Sequence, residues 1–411
     1  MAALRARGRL KGALPLLGPA FVAAIAYVDP GNFATNFSAG ATYGYLLLWV
    51  IVAANLTAML IQNLSAKLGL ATGRNLPELC REHFPRPVTR GLWVQAEAVA
   101  IATDLAEVIG GAIALNLLFG IPLLQGGLIT GVVAFGLLAL QTRGYRRFEL
   151  VIGGLFAVIL VGFVVNLFRA APDAGAAAAG LVPAFDGVDS VLLAAGILGA
   201  TVMPHVVYLH SALTQSRVQA VDASERRHLL RHQRLDIAIA MGFAGLVNAA
   251  MLLIAAALFH RPGQAPLADG GSLDSVHSAL AVALDRPAAL LFALALLASG
   301  FASSGVGTYA GQVVMAGYLQ RSIPLFARRA LTLAPALLVL AVGVDPTQAL
   351  VWSQVVLSFG IPFALVPLVL LTRRRDLMAE LVNRRITTLA AAAAAAVIIA
   401  LNLFLLVRTV L

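Results

Sequence analysis

Cysteine is almost missing from this sequence: one residue, Cys80, in 411. A lone cysteine excludes an intrachain disulfide framework and any metal centre built on several thiolates. Charge is scarce as well, with Asp, Glu, Lys and Arg at 12% of the chain against 60% hydrophobic residues. At a mean hydropathy of +0.90, the chain reads as an integral membrane protein and not as a soluble domain with a large core. No His-Glu-x-x-His occurs, so the helix signature of an intramembrane zinc hydrolase is absent and an enzyme is not expected.

What fills the chain is apolar runs, at about 14-39, 44-70, 92-119, 121-141, 150-170, 190-215, 236-259, 287-319, 323-343, 347-372 and 386-409. Each is long enough for a span of about 20 residues. With the N-terminus placed inside, 25 of the 29 Lys and Arg fall in inner segments. Only Arg169, Arg261, Arg286 and Arg408 fall outside. This asymmetry favours eleven spans with the N-terminus cytoplasmic and the C-terminus outside. It also explains the net charge of +10 through anionic lipid headgroups, with no need of nucleic acid. The basic N-terminal stretch and the apolar run after it form a first span; the run is too long for a signal peptide. Ala171 to Val188, rich in Ala and Gly and without a basic residue, reads as an outer loop between two halves.

Two spans are interrupted. In the first, Asp29-Pro30-Gly31-Asn32 sits in the middle of the apolar run. Pro30 has no N–H and clashes with the preceding turn, and Gly31 adds backbone freedom, so the helix should open into two halves. A carboxylate at a helix centre costs about 2.5–3.5 kcal/mol on insertion scales, and unwound backbone at that depth needs protein or a polar cavity around it. Asp29 and Asn32 can aim two oxygens at one point, and both oxygen types ligate cations.

The sixth span carries Gly199-Ala200-Thr201-Val202-Met203-Pro204-His205. Pro204 cannot donate to the Ala200 carbonyl, which is left to face a ligand. Met203 alone would read as core filler. Beside a carboxylate, an amide and a freed carbonyl it reads as a soft donor in a hard site. Paired interruptions in two halves point to a transporter's midplane site. A proline kink with a hydrogen-bonded Asp is the plainer alternative.

The third span places Glu97, Asp104 and Glu107 seven and then three residues apart, on one helical face. Such a face suits a proton relay, or a structural network with arginines; Arg217, Arg328 and Arg329 are the candidate partners under either reading. His205, next to the break, is a candidate for proton movement or gating, and His210 a weaker one. Thr35 and Asn36 line the cavity or cap a half-helix. The amides Asn55, Gln62 and Asn63, with Ser65, mark a stripe of the second span that faces the bundle, and a short helix should begin near Asn75. The small residues from Ala298 to Gly307 read as a packing surface. In the tenth span Gln354 can supply another oxygen.

Asp-Pro-Gly-Asn in the first span and Ala-Thr-Val-Met-Pro-His in the sixth, with Gln-Ala-Glu at 95-97 and Asp-Leu-Ala-Glu at 104-107, closely resemble the Nramp family (natural resistance-associated macrophage proteins) of proton-coupled divalent metal transporters. The resemblance extends over nearly the whole chain. It implies an all-α membrane protein of one transporter domain with a LeuT-like inverted repeat. The first repeat covers about 14-170, the second about 190-372, and an accessory helix about 386-409. It further implies metal bound by Asp29, Asn32, Met203 and the Ala200 carbonyl, with Gln354 joining in some states. His205, Asp104, Glu107 and Arg217 match positions linked to proton movement. The expected substrates are Mn²⁺ and Fe²⁺, with Cd²⁺ and Co²⁺, and H⁺ is the coupling ion; no cofactor or obligatory protein partner is expected.

Chemistry points the same way, because a thioether suits softer ions better than Mg²⁺ or Ca²⁺. An inward-negative potential, worth about 2.3 kcal/mol per charge per 100 mV, favours uptake across the cell membrane, and the resemblance implies alternating access as its mechanism. An organic-substrate symporter of the same fold leaves the meeting of Asp29 and Met203 unexplained.

Overall fold

The computed structural model describes residues 18–142, 145–215, 223–260, 272–321 and 323–410, and among them every regular element is helical. Nine helices are long and apolar enough to cross a membrane among the described residues. They are Leu48–Thr72, Arg86–Phe119, Leu123–Leu140, Arg146–Ala170, Gly187–Gln215, Ser224–Phe259, Arg286–Leu319, Pro346–Thr372 and Arg385–Phe404. Two more complete the expected set: the broken first span and the ninth, Leu325–Val342. The first span is divided into shorter helices, and the ninth carries Arg328 and Arg329 near its start.

Both expected interruptions are present. The first span runs as Pro19–Ala24, tightens into a 3₁₀ turn over Ile25–Val28, opens at Asp29 and resumes as Pro30–Tyr43. The sixth runs as Gly187–Thr201, opens at Val202 and Met203, and resumes as Pro204–Gln215. In each case proline occupies the first position of the new helix, where its missing N–H costs nothing.

Several helices outrun their apolar sequence. The third begins at Arg86, not near 92, and the seventh at Ala223, not 236, so both carry charged turns beyond the apolar stretch. The short helix near Asn75 is Leu76–His83, with a reciprocal cap between Asn75 and Glu78. The stretch read as an outer loop holds a helix of its own, Ala174–Ala179, capped by Asp173, and ends in the first turn of the sixth span.

The second half of the first span is held from the side by aromatic rings. Phe33 packs edge-on against Phe163 of the fifth span at 5.1 Å, and Phe37 against Phe292 of the eighth at 5.3 Å. The last span joins the tenth through polar contacts, since Ser358 donates to Asn402 and the Asn402 amide returns to the Ser358 carbonyl.

Candidate functional site

The two breaks meet. Asp29 is the N-cap of the second half of its span: its Oδ1 accepts the Asn32 N–H at 2.9 Å and the Asn32 side-chain amide at 2.6 Å. The same amide nitrogen donates at 2.9 Å to the Ala200 carbonyl of the sixth span. That carbonyl is the one Pro204 leaves without its helical partner. Thr201 closes the arrangement by donating to Asn32 Oδ1 at 3.3 Å.

Asp29 Oδ2 is buried and has no hydrogen-bond partner. Met203 is fully buried within the break itself. A buried carboxylate oxygen without a partner is costly unless something else occupies its lone pairs.

Gln354 belongs to the same place. A Cβ built on Gly31 would run into the Gln354 amide, and one on Gly199 would come within 3.0 Å of the Gln354 carbonyl. The tenth span thus lies directly over both interruptions, and this close approach is what glycine at 31 permits. Gln354 Oε1 is buried without a partner, while its nitrogen donates to Ser353 at 3.2 Å. Carboxylate, amide, main-chain carbonyl and a second amide therefore gather from three spans, with Met203 buried in the second break.

Among the described residues no group of three or more His, Cys, Asp or Glu is placed to hold a metal. The donor set here is mixed and carries one formal charge.

The profile of the natural resistance-associated macrophage protein-like (Nramp) family matches residues 20–408. This chain belongs to the Nramp family. It is 54% identical over 400 residues to the divalent metal cation transporter MntH of Bacillus subtilis, covering 97% of this chain and 93% of that one. It is 54% identical over 393 residues to the MntH of Deinococcus radiodurans, with 96% and 89% covered. Among solved structures, a variant of the Eremococcus coleocola manganese transporter superposes with a TM-score of 0.87 at 34% identity, covering 97% of this chain and 87% of that one. The nucleobase-cation symporter Mhp1 shares the fold, with a TM-score of 0.63 at 18% identity. The fold of this Nramp chain is therefore the LeuT-like inverted repeat of five and five spans with broken first and sixth helices, plus an eleventh span.

The three acids of the third span are divided by the structure. Glu97 forms a bidentate pair with Arg328, at 2.7 and 3.2 Å, and accepts from Trp93 at 3.0 Å. Asp104 pairs with Arg329, which is fully buried and also donates to Ser304 and, at 2.8 Å, to Thr308. Glu107 forms no ion pair among the described residues, and its buried Oε2 has no partner.

One turn beyond Glu107, a Cβ on Gly110 would collide with the Pro30 ring, which places Glu107 beside the first break. His205 joins this group through Nδ1, 3.2 Å from Thr103 Oγ1, with Nε2 buried and unpartnered. His210 stands apart, 2.7 Å from Gln62, which in turn donates to Tyr27. Arg217 lies outside the described residues.

The small residues of the eighth span do more than let helices slide. Gly307 leaves room for the Glu107 carboxylate and Gly311 for the Arg328 guanidinium. Asn36 donates to Asn248 of the seventh span at 3.0 Å, Asn248 donates to the Tyr27 carbonyl just before the break at 2.8 Å, and Thr35 bonds back to the Gly31 carbonyl.

Sequence reasoning missed Asp236. Its carboxylate accepts the N–H groups of Gly18 and Ala20, at 3.2 and 3.0 Å, and fixes the start of the broken span. The only signal was an acid at the edge of the seventh apolar run.

Proposed function

We propose that this protein imports divalent transition-metal ions, Mn²⁺ and Fe²⁺ foremost and Cd²⁺ and Co²⁺ besides, across the plasma membrane in symport with protons by alternating access. The observation that carries the reading is the convergence of Asp29 Oδ1 and the Ala200 carbonyl on one Asn32 amide nitrogen. A cation would sit between the same two oxygens. Asn32 must then turn its amide so that Oδ1 replaces nitrogen, and the Asp29 oxygen that lacks a partner becomes available to the ion. Met203 supplies the soft contact, and Gln354 joins as the tenth span closes over the breaks.

Protons are assigned to Asp29, His205, Asp104 and Glu107, with Arg329, Arg328, Glu97 and Arg217 as the charged surround. Glu107 is the first acceptor beside the metal, since Asp104 and Glu97 are already paired with arginines. The relatives are named as divalent metal cation transporters, and the family carries no enzymatic chemistry.

Proteoliposomes loaded with a pH dye test this directly. Wild-type protein takes up Mn²⁺ and acidifies the lumen. Asp29→Ala does neither, because removing the partner of a buried charge costs about 3–5 kcal/mol, or roughly two to four decades of affinity. Glu107→Gln binds Mn²⁺ but loses acidification in preference to uptake. Unimpaired uptake by Asp29→Ala would remove that residue from the site, and equal loss of binding and both fluxes in Glu107→Gln would make it structural.

A further inference from the structure

At the basic end of the bundle, the side proposed to be cytoplasmic, a cavity of about 390 Å³ opens between the second, seventh and last spans. Its walls carry five cations, Lys67, Arg227, Arg231, Arg234 and Arg384, against one acid, Glu380. That acid is engaged elsewhere, accepting from Arg226 at 3.3 Å.

Two of the cations are held in place. Lys67 is buried and donates to Asn383, whose backbone and side chain are both bonded to Thr372 at the end of the tenth span. Arg234 donates through Nε to Asn63 at 3.3 Å. The side chains of Arg227, Arg231 and Arg384 have no hydrogen bond or ion pair among the described residues.

Helical spacing explains the convergence, because Arg227, Arg231 and Arg234 fall at intervals of four and three and share one face of the seventh helix. The last helix begins at Arg385, and its first turn, with Thr387 on the cavity wall, adds the partial positive charge of a helix start. Five like charges around one cavity repel each other unless an anion joins them. Guanidinium forks, a lysine and a helix start together match the oxygens of a phosphate group.

We propose that this cavity binds a phosphate-bearing anion, which bridges the seventh and last spans to the second. Its position at the membrane edge is within reach of an anionic lipid headgroup, and a soluble phosphate offers the same oxygens.

Native mass spectrometry of the purified full chain separates the sources. The protein is titrated with dioleoylphosphatidylglycerol, with inorganic pyrophosphate, and with dioleoylphosphatidylcholine as the zwitterionic control. Arg227→Gln combined with Arg231→Gln alters two exposed side chains and leaves the buried Lys67 untouched. At about fivefold per cation near an anionic surface, the double variant weakens the phosphate probe by about thirtyfold. Raising the salt weakens the wild type and moves the variant little.

If the glycerol lipid shows this loss the occupant is a headgroup, and if pyrophosphate shows it the occupant is soluble. Binding of both probes by the variant as by the wild type overturns the proposal. So does the absence of any preference over the zwitterionic lipid.

Discussion

Asp29 does two jobs with one carboxylate. Oδ1 caps the resumed helix and accepts the Asn32 amide, and Oδ2 is left buried with no partner. Met203 is fully buried in the opposing break, and in the proposed function its sulfur selects the ion that satisfies that oxygen. Met203→Ala leaves an all-oxygen site that is more hospitable to hard cations. In competition uptake assays the variant therefore loses Cd²⁺ transport more than Mn²⁺ transport, and millimolar Ca²⁺ or Mg²⁺ begins to inhibit. A wild-type Cd²⁺ to Mn²⁺ ratio, with Ca²⁺ and Mg²⁺ still ignored, would assign selectivity to cavity size and return Met203 to core packing. The position of these residues beside the two breaks was legible in the sequence, because Pro30 and Pro204 announce freed backbone within a few residues of each side chain. The direction of the Asn32 amide was not legible, since it depends on a carbonyl 168 residues away.

At the scale of elements, broken helices work only if a neighbour covers the opening, and the tenth span does so through Gln354 above Gly31. Gly31→Ala puts a methyl group where the Gln354 amide lies. Overpacking of this kind costs about 1–3 kcal/mol, so the variant folds with a melting temperature lowered by a few degrees and binds Mn²⁺ about tenfold or more weakly by calorimetry. Unchanged affinity would mean that Gln354 moves aside freely and does not close over the ion.

The sequence marked Gln354 as polar in an apolar helix but could not say that a glycine faces it. It likewise named Arg328 and Arg329 as partners for an acidic face without telling which acid each would take. The pairing follows from the ninth span packing against the third, and it leaves Glu107 as the acid without an arginine. Asp236 escaped notice for the same reason, since its bonds to Gly18 and Ala20 cross more than two hundred residues.

For the whole molecule, the charge asymmetry favours an N-terminus inside, an orientation that one native residue makes easy to test. Cys80 lies unexposed on the short helix Leu76–His83, and burial pushes its thiol up to about 12. It stays protonated up to pH 9, where an ordinary cysteine near 8.5 is largely thiolate. The folded wild type therefore does not react with an impermeant maleimide between pH 7 and 9. On that silent background, Asp173→Cys labels in intact cells and Asp376→Cys labels only after permeabilisation; the reverse pattern would invert the topology.

The central claim is that one metal ion sits between the two breaks. Anomalous diffraction from crystals soaked in Mn²⁺ measures this most directly. The expected result is a peak coordinated by Asp29, the Ala200 carbonyl and Met203 sulfur, with the Asn32 amide turned so that its oxygen faces the ion, and no such peak in Asp29→Ala. A peak elsewhere in the bundle, or one beside an Asn32 nitrogen that still donates to Asp29 and Ala200, would contradict it.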